Sequence, residues 1–446
     1  MVDSRLTVHP GPALRGNFCP PGDKSVTHRA LILGALAEGA TVIQNPNPGE
    51  DCAATLACLR AMGVRVSAGP GSDFTIEGRA GELAEPENVL DCGNSGTTLR
   101  LLAGVLASQP FLAVLTGDAS LRRRPVDRVI EPLRNMGARL SARAADRLPP
   151  LVVQGGLLRP IRYRLPVNSA QVATAILFAG MKAPGTTVVE LGAARDHTER
   201  MLPAFGVPVT WGEADAQGMV PRSISGPACP KGIRLRVPGD FSAAAFFLAA
   251  AAARPGARVT AEGVSLNPTR TGLLDILERM GARVERLPRG EAAGEPFGDV
   301  IVSGPDSLTA CDLPPEIVPA MVDEIPAWTI AAAVASGTSR VRGAGELRVK
   351  ESDRLASLRE NLSCLGVRAE ETSDGLAVTG GAVGAGDVDA AGDHRIAMTF
   401  AVLATLAAGP VRIRGAGTIA TSFPDFAGTL AGLGGRLAAG TGNGAD

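Results

Sequence analysis

Aromatic side chains are scarce. Phe, Trp and Tyr make up 3% of the 446 residues, with a single tyrosine, which argues against a surface that binds nucleic acid by stacking bases. Charge of one sign is lacking too: 44 Lys and Arg stand against 45 Asp and Glu, a formal net charge of −1. No global field draws such a chain to nucleic acid or to an anionic membrane, so any anion site must be local. The cysteines, at 19, 52, 58, 92, 229, 311 and 364, are odd in number and form no C-x-x-C pair. That pattern fits reduced thiols rather than disulfides or zinc, and with it a cytoplasmic protein. The opening MVDSRLTVHPGPALRG has neither the apolar core of a signal peptide nor the Ser/Arg character of a transit segment. The longest apolar run, Ala243 to Ala253, falls well short of the roughly 20 residues a membrane span needs.

What is present is a hydrophobic content of 45% with 20% charged side chains, the balance of a soluble globular protein. The length predicts two domains of roughly 200 residues each. A repeat runs through the chain: LRAMGVRV, LRNMGARL, LPAFGVPV, LERMGARV, LSCLGVRA and LAGLGGRL all read L-x-x-[M/F/L]-G-x-x-[V/L/A]. Their glycines, at 63, 137, 206, 281, 366 and 434, lie 74, 69, 75, 85 and 68 positions apart, a spacing that builds domains. Each instance reads as an amphipathic helix stopped by a glycine and followed at once by a strand. Two similar openings, PGDKS at 21–25 and PGDFS at 238–242, predict a duplicated three-unit domain. The expected division is 1–20 plus 241–446 as one discontinuous domain and 23–238 as the other, with hinges near 20–23 and 238–241. There proline would fix φ and glycine would release it. The C-terminal AAGTGNGAD reads as a loose tail.

Three helices of the first half are predicted to open with polar clusters: GDKSVTHR, CGNSGTTLR and PVNSAQVATAIL. Helix starts present unpaired N–H groups and a positive dipole end, and Ser25, Asn94, Ser95, Thr97, Ser169 and Gln171 add side-chain donors. Taken singly, each is a weak signal, since Ser or Asn at a helix start is more often a plain cap. Arg122, Arg123 and Arg124 precede Pro125, and three consecutive arginines cannot all face one side. The second half supplies MVDEIP, ELRVKESDRL and GDHRIAM. In KESDR, Lys350 and Arg354 are expected four apart on one helix with Glu351 one step around. One half thus offers Lys24, Arg29 and Arg124, the other Asp323, Glu351, Arg354 and Arg395. Guanidinium groups suit bidentate anion clamps, and the acids would move protons.

These stretches, with RRRPVDR, DHTERM and TSFPDF, resemble in order from residue 21 to 426 the motif series of the 5-enolpyruvylshikimate-3-phosphate synthase family, in particular its second bacterial class. The resemblance implies an α/β fold, the two-domain inside-out α/β barrel of enolpyruvyl transferases. Each domain would hold three βαβαββ units, with hinge closure over ligand. It implies transfer of the enolpyruvyl group of phosphoenolpyruvate to the 5-hydroxyl of shikimate 3-phosphate with release of phosphate, in aromatic amino acid biosynthesis. Neither cofactor nor metal takes part in the family's reaction, and a monomer is expected. Carried over by position, Lys24, Ser25, Arg29, Ser169, Ala170, Gln171, Arg195, Asp323 and Lys350 would hold shikimate 3-phosphate. Lys24, Gly96, Arg124, Gln171, Arg354 and Arg395 would hold phosphoenolpyruvate. Asp323 matches the base for the attacking hydroxyl. Glu351 matches the acid that protonates the enol carbon, a role the resemblance also allows for Lys24, and the division stays open.

Thr421 stands where the first class of the family has a lysine, which leaves one fewer cation for phosphoenolpyruvate. Gly96 stands where glyphosate-tolerant members carry alanine, so sensitivity to that inhibitor is expected. Two rivals remain. An enolpyruvyl transferase acting on UDP-N-acetylglucosamine would keep an asparagine after the first lysine, where this chain has Ser25. It would also usually keep a cysteine in the loop before its Arg-Pro, where this chain has none between Cys92 and Cys229. A non-catalytic scaffold binding phosphorylated metabolites would have no need of Asp323 and Glu351.

Overall fold

Six glycines punctuate the chain. In the computed structural model, which describes residues 4–439, Gly63, Gly137, Gly206, Gly281, Gly366 and Gly434 all adopt φ between +73° and +112°. Each follows a helix, namely Glu50–Ala61, Asp127–Asn135, His197–Ala204, Gly272–Arg279, Arg354–Cys364 and Phe426–Gly432, and each precedes a strand. The leucine of the repeat has a double role there. The N–H one residue beyond the glycine donates to the carbonyl of Leu59, Leu133, Leu202, Leu277, Leu362 or Leu430 at 2.8–3.2 Å, closing the helix in a Schellman motif. The same six leucine side chains are fully buried. The repeat therefore encodes a helix stop and a core anchor together.

The chain divides into two units. The first holds the described residues up to Pro21, Gly239–Gly290 and those from Pro296 on, and the second holds Gly22–Pro238 and Glu291–Glu295. Among the described residues each unit contains three small sheets, five of the six mixed and the one built on Thr338–Val341 antiparallel. In the second unit, Ala40–Gln44 runs parallel to Arg234–Arg236 and antiparallel to Phe74–Glu77, which pairs in turn with Arg65–Ala68. In the first unit, Arg258–Ser265 has the matching parallel neighbour in Arg15–Phe18. Arg5–His9 lies between Val411–Arg414 and Arg436–Ala439, antiparallel to both. The sheet built on Thr338–Val341 has three strands, and a single bridge from Thr309 to Ser336 takes the fourth place.

Each unit has its own core. In the first, every residue of the helices Phe241–Ala252, Ile325–Ala332 and His394–Leu403 is buried. Helices apolar all round belong inside a unit, with sheets outside them. Much of the small aromatic complement gathers there: Phe247 meets Phe18, Phe423 and Phe426 with ring centroids 5.0–6.2 Å apart. In the second unit, Lys24–Leu36, Gly96–Leu106 and Ala170–Gly180 take the equivalent places. Polar motifs thus sit on the N-termini of helices whose bodies are fixed by burial.

The PGD turns behave differently from the expected release of φ. Neither Gly22 nor Gly239 adopts positive φ. Both are required by crowding, since a Cβ on Gly22 would lie 2.0 Å from the Asn45 carbonyl oxygen, and one on Gly239 2.6 Å from Pro20 Cγ. Within the second unit the Asp23 N–H donates to Pro238 O at 2.7 Å, and within the first the Asp240 N–H donates to Pro21 O at 2.7 Å. Glu291–Glu295 lie inside the stretch that the sequence reading gives to the other domain, yet they group with the second unit. The cause is Glu295, whose buried carboxylate meets His197 Nδ1 at 2.7 Å. All seven cysteines are free thiols, and among the described residues no helix is long and apolar enough to cross a membrane. Of the expected tail, Ala438 and Ala439 complete a strand, and from Gly440 on it lies outside the described residues.

Candidate active site

In the second unit three capped helix starts carry the polar motifs. Asp23 accepts from the Val26 N–H, Ser95 from Thr98 and Ser169 from Val172. With the caps supplied by these three, Lys24, Ser25, Gly96, Thr97, Ala170 and Gln171 fall in first turns, where backbone N–H groups have no helical partner. Lys24 Nζ is 2.8 Å from Asp51 Oδ2, an ion pair between two nearly buried side chains. Arg124 is the one of its three arginines that turns inward, while Arg122 and Arg123 are exposed. Its Nη1 and Nη2 donate to Asn94 O at 3.2 Å and to Asn94 Oδ1 at 2.6 Å. Gln171 is held at both ends, accepting from Arg100 Nη1 at 2.7 Å and donating to Thr97 Oγ1 at 2.9 Å. A Cβ on Gly96 would stand 2.9 Å from Arg100 Nη1 and 3.6 Å from Arg124 Nη1, so this glycine keeps two guanidinium groups close to the chain.

Behind this surface lies a buried network. Arg29 donates through Nε to Thr198, through Nη1 to the Ser25 carbonyl and through Nη2 to Thr174, at 2.7, 2.9 and 2.9 Å. Burial lowers its pKa to about 10, against the opposing pull of Glu199, Glu295 and Asp23. The DHTERM stretch supplies much of the network: Thr198 holds Arg29, Glu199 pairs with Arg222 at 2.6 Å, and His197 meets Glu295. Arg195 is half-buried just before it. His28 shares a 2.7 Å hydrogen bond with Thr55. Burial first, then Lys24 and Arg29, push its pKa well below the ordinary histidine value, so it stays neutral.

In the first unit the cations gather on one carboxylate. Asp323, 6% exposed, receives Arg354 Nη1 at 3.1 Å on Oδ1, with Lys350 Nζ at 3.7 Å. Arg395 Nη2 lies 4.0 Å from its Oδ2, and Arg395 Nη1 donates to its main-chain carbonyl at 3.0 Å. Arg354 is buried and also pairs with Asp393, at 2.7 Å, and with Glu351. Burial alone would lower its pKa, but Asp393, Glu351 and Asp323 outweigh that and raise it above the usual arginine value. The expected helix through Lys350 and Arg354 is not formed. Asp353 caps a helix that begins at Arg354, and Lys350 follows a short 3-10 turn, Gly345–Val349. Lys350 and Arg354 converge on Asp323 because the chain bends between them.

The structure thus groups Lys24, Ser25, Gly96, Arg124, Ser169, Ala170 and Gln171 at helix starts in one unit, and Asp323, Lys350, Glu351, Arg354 and Arg395 in the other. Three side chains that hold these in place were not foreseen, Asp51 on Lys24, Arg100 on Gln171 and Asp393 on Arg354, and Asn94, expected as a donor, accepts from Arg124. The sequence did offer one signal, since Asp393 sits at the cap position of GDHR, and its Oδ1 accepts from the Arg395 N–H at 2.9 Å.

Six α/β repeats in two units, with cations and acids on or beside helix starts, define the enolpyruvyl transferase fold. An enolpyruvyl transferase, NikO from Streptomyces tendae, shares it at a TM-score of 0.77 with 17% identity, covering 98% of this chain and 99% of that one. The chain belongs to the EPSP synthase (3-phosphoshikimate 1-carboxyvinyltransferase) family, whose model matches residues 8–430. It is 46% identical to the 3-phosphoshikimate 1-carboxyvinyltransferase of Desulforamulus reducens, over 95% of this chain and 98% of the relative. Identity to that of Acidithiobacillus ferrooxidans is 48%, over 95% and 96%. The EPSP synthase of Acinetobacter baumannii superimposes with a TM-score of 0.85 at 40% identity, covering 98% of this chain and 99% of that one.

Proposed function

We propose that the protein transfers the enolpyruvyl group of phosphoenolpyruvate to the 5-hydroxyl of shikimate 3-phosphate, releasing phosphate, as a 3-phosphoshikimate 1-carboxyvinyltransferase of aromatic amino acid biosynthesis. The observation that carries the mechanism is the Asp323 carboxylate, nearly buried yet surrounded by Arg354, Lys350 and Arg395. In this reading Arg354, Arg395, Arg124, Gln171, Lys24 and the Gly96 backbone hold phosphoenolpyruvate. Ser25, Arg29, Ser169, Ala170, Gln171, Arg195, Lys24 and Lys350 hold shikimate 3-phosphate.

Phosphoenolpyruvate is a weak electrophile until its methylene carbon takes a proton, and fixed cations near its phosphate and carboxylate favour the charge that then develops. Asp323 takes the proton of the attacking hydroxyl as the new C–O bond forms, and Glu351 or Lys24 delivers the proton to carbon. The resulting tetrahedral adduct expels phosphate, and the two proton transfers reverse. The protein is further proposed to act as a monomer in the cytoplasm, the latter in line with its free cysteines.

The test is product analysis after mixing the protein with both substrates. One phosphate released per enolpyruvyl ether formed supports the reading. Binding of both substrates with no phosphate release favours a metabolite-binding scaffold. Product formed only with UDP-N-acetylglucosamine as acceptor would replace shikimate 3-phosphate.

A further inference from the structure

Three cations approach Asp323, and two of them have a second carboxylate at hydrogen-bond distance. Arg354 has Asp393 at 2.7 Å, together with Glu351. Lys350 has Glu346 at 2.7 Å. For Arg395 the second carboxylate is Glu324, with Oε1 4.0 Å from Nη1. Glu324 is 1% exposed and closes the short turn Val322–Glu324 that also carries Asp323. Its Oε1 accepts from the Ser242 hydroxyl, which in turn accepts from Arg270 Nη2 at 2.5 Å. Arg270 Nη2 also lies 3.5 Å from Glu324 Oε1. The other oxygen, Oε2, is buried with no hydrogen-bond partner among the described residues. A buried carboxylate half-bonded in this way is costly unless its charge is needed by the cations beside it.

We propose that Glu324 is a positioning residue, a standing counter-charge that keeps Arg395 in place while Asp323 is protonated during turnover. The inference rests on the reading of Asp323 as the base. When the hydroxyl proton of shikimate 3-phosphate moves to Asp323, that side chain becomes neutral and loosens its hold on all three cations. Arg354 keeps Asp393 and Glu351, and Lys350 keeps Glu346. Arg395 keeps the neutral Asp323 main-chain carbonyl and, as its charged neighbour, Glu324, which Ser242 from the PGDFS turn and Arg270 from the NPTR turn hold in place. Two stretches outside the proposed substrate-binding set thereby support the site through Glu324.

The experiment is steady-state phosphate release by the natural protein and by Glu324→Gln, Glu324→Asp and Ser242→Ala. Glu324→Gln keeps an acceptor for Ser242 but loses the charge. It is expected to lower kcat by about tenfold to a hundredfold, through loss of a buried counter-charge 4.0 Å from Arg395, with the KM for shikimate 3-phosphate unchanged. Glu324→Asp restores part of the loss. Ser242→Ala, which leaves the charge held by Arg270 alone, gives a smaller fall of the same kind and serves as the probe if Glu324→Gln does not fold. A kcat unchanged in Glu324→Gln, or a loss of thermal stability with normal kcat per folded molecule, would overturn the inference while leaving the base intact. A natural protein that releases no phosphate would overturn the reading of the site, and this inference with it.

Discussion

Asp393 reaches two site arginines at once: Oδ2 accepts from Arg354 Nε at 2.7 Å, and Oδ1 accepts from the Arg395 backbone N–H at 2.9 Å. Fully buried, it caps its own helix and neutralises a buried guanidinium on another. Removing one partner of such a pair leaves an uncompensated charge. Asp393→Ala is expected to cost about 3–5 kcal/mol of stability in urea unfolding. Asp393→Asn, which can still cap, should cost less while raising the KM for phosphoenolpyruvate.

His28 gives the protein a defined acid sensitivity. Its pKa in the folded state lies well below the ordinary histidine value, burial being the largest cause. The unfolded chain therefore binds the proton first. Stability from this group is intact above about pH 6.5 and declines as pH falls toward the folded value. Melting curves between pH 8 and pH 5 should show a shallower decline in His28→Asn than in the natural protein.

Gly96 and Arg100 set the room at one helix start. A methyl group at 96 would meet Arg100 Nη1 at 2.9 Å, and that flexible end can yield only by leaving Gln171. Gly96→Ala is expected to raise the KM for phosphoenolpyruvate by roughly tenfold, about 1–2 kcal/mol of overpacking, with little change in stability. Glyphosate should inhibit the natural protein, and the variant's inhibition curve should move to higher concentration. An unmoved curve would show that the space at 96 does not matter to the inhibitor.

Two glycines separate strain from crowding. At Gly366, φ is +73° and nothing lies within 4 Å of an added Cβ, so Gly366→Ala carries only the left-handed penalty, about 1–2 kcal/mol. Gly22→Ala would drive a Cβ to 2.0 Å from the Asn45 oxygen, with backbone on both sides of the clash. It should destabilise by more than Gly366→Ala in the same thermal scan.

How far the sequence announced this structure depended on the distance between partners. The six helix stops were legible because the leucine, the glycine and the following strand are neighbours in the chain. Helix starts were legible for the same reason, as Asp23, Ser95 and Ser169 cap residues three positions on. That the three arginines at 122–124 would not all face one side was legible from their adjacency, while the choice of Arg124 came from the resemblance. Asp51, Glu324 and Arg100 were invisible because each looks like an ordinary charged residue until the fold brings Lys24, Arg395 or Gln171 beside it. The helix expected through KESDR was overruled by a local competitor, the Asp353 cap, which starts the helix at Arg354. Gly22 misled in another way, its need being set by Asn45 rather than by its own φ.

The proposed mechanism depends on Asp323 accepting the hydroxyl proton. Phosphate release from phosphoenolpyruvate on adding shikimate 3-phosphate, measured for the natural protein and for Asp323→Ala, tests this most directly. A fall in kcat of at least about a hundredfold in the variant, with both substrates still bound, is the predicted result. A variant that turns over at the natural rate would contradict it.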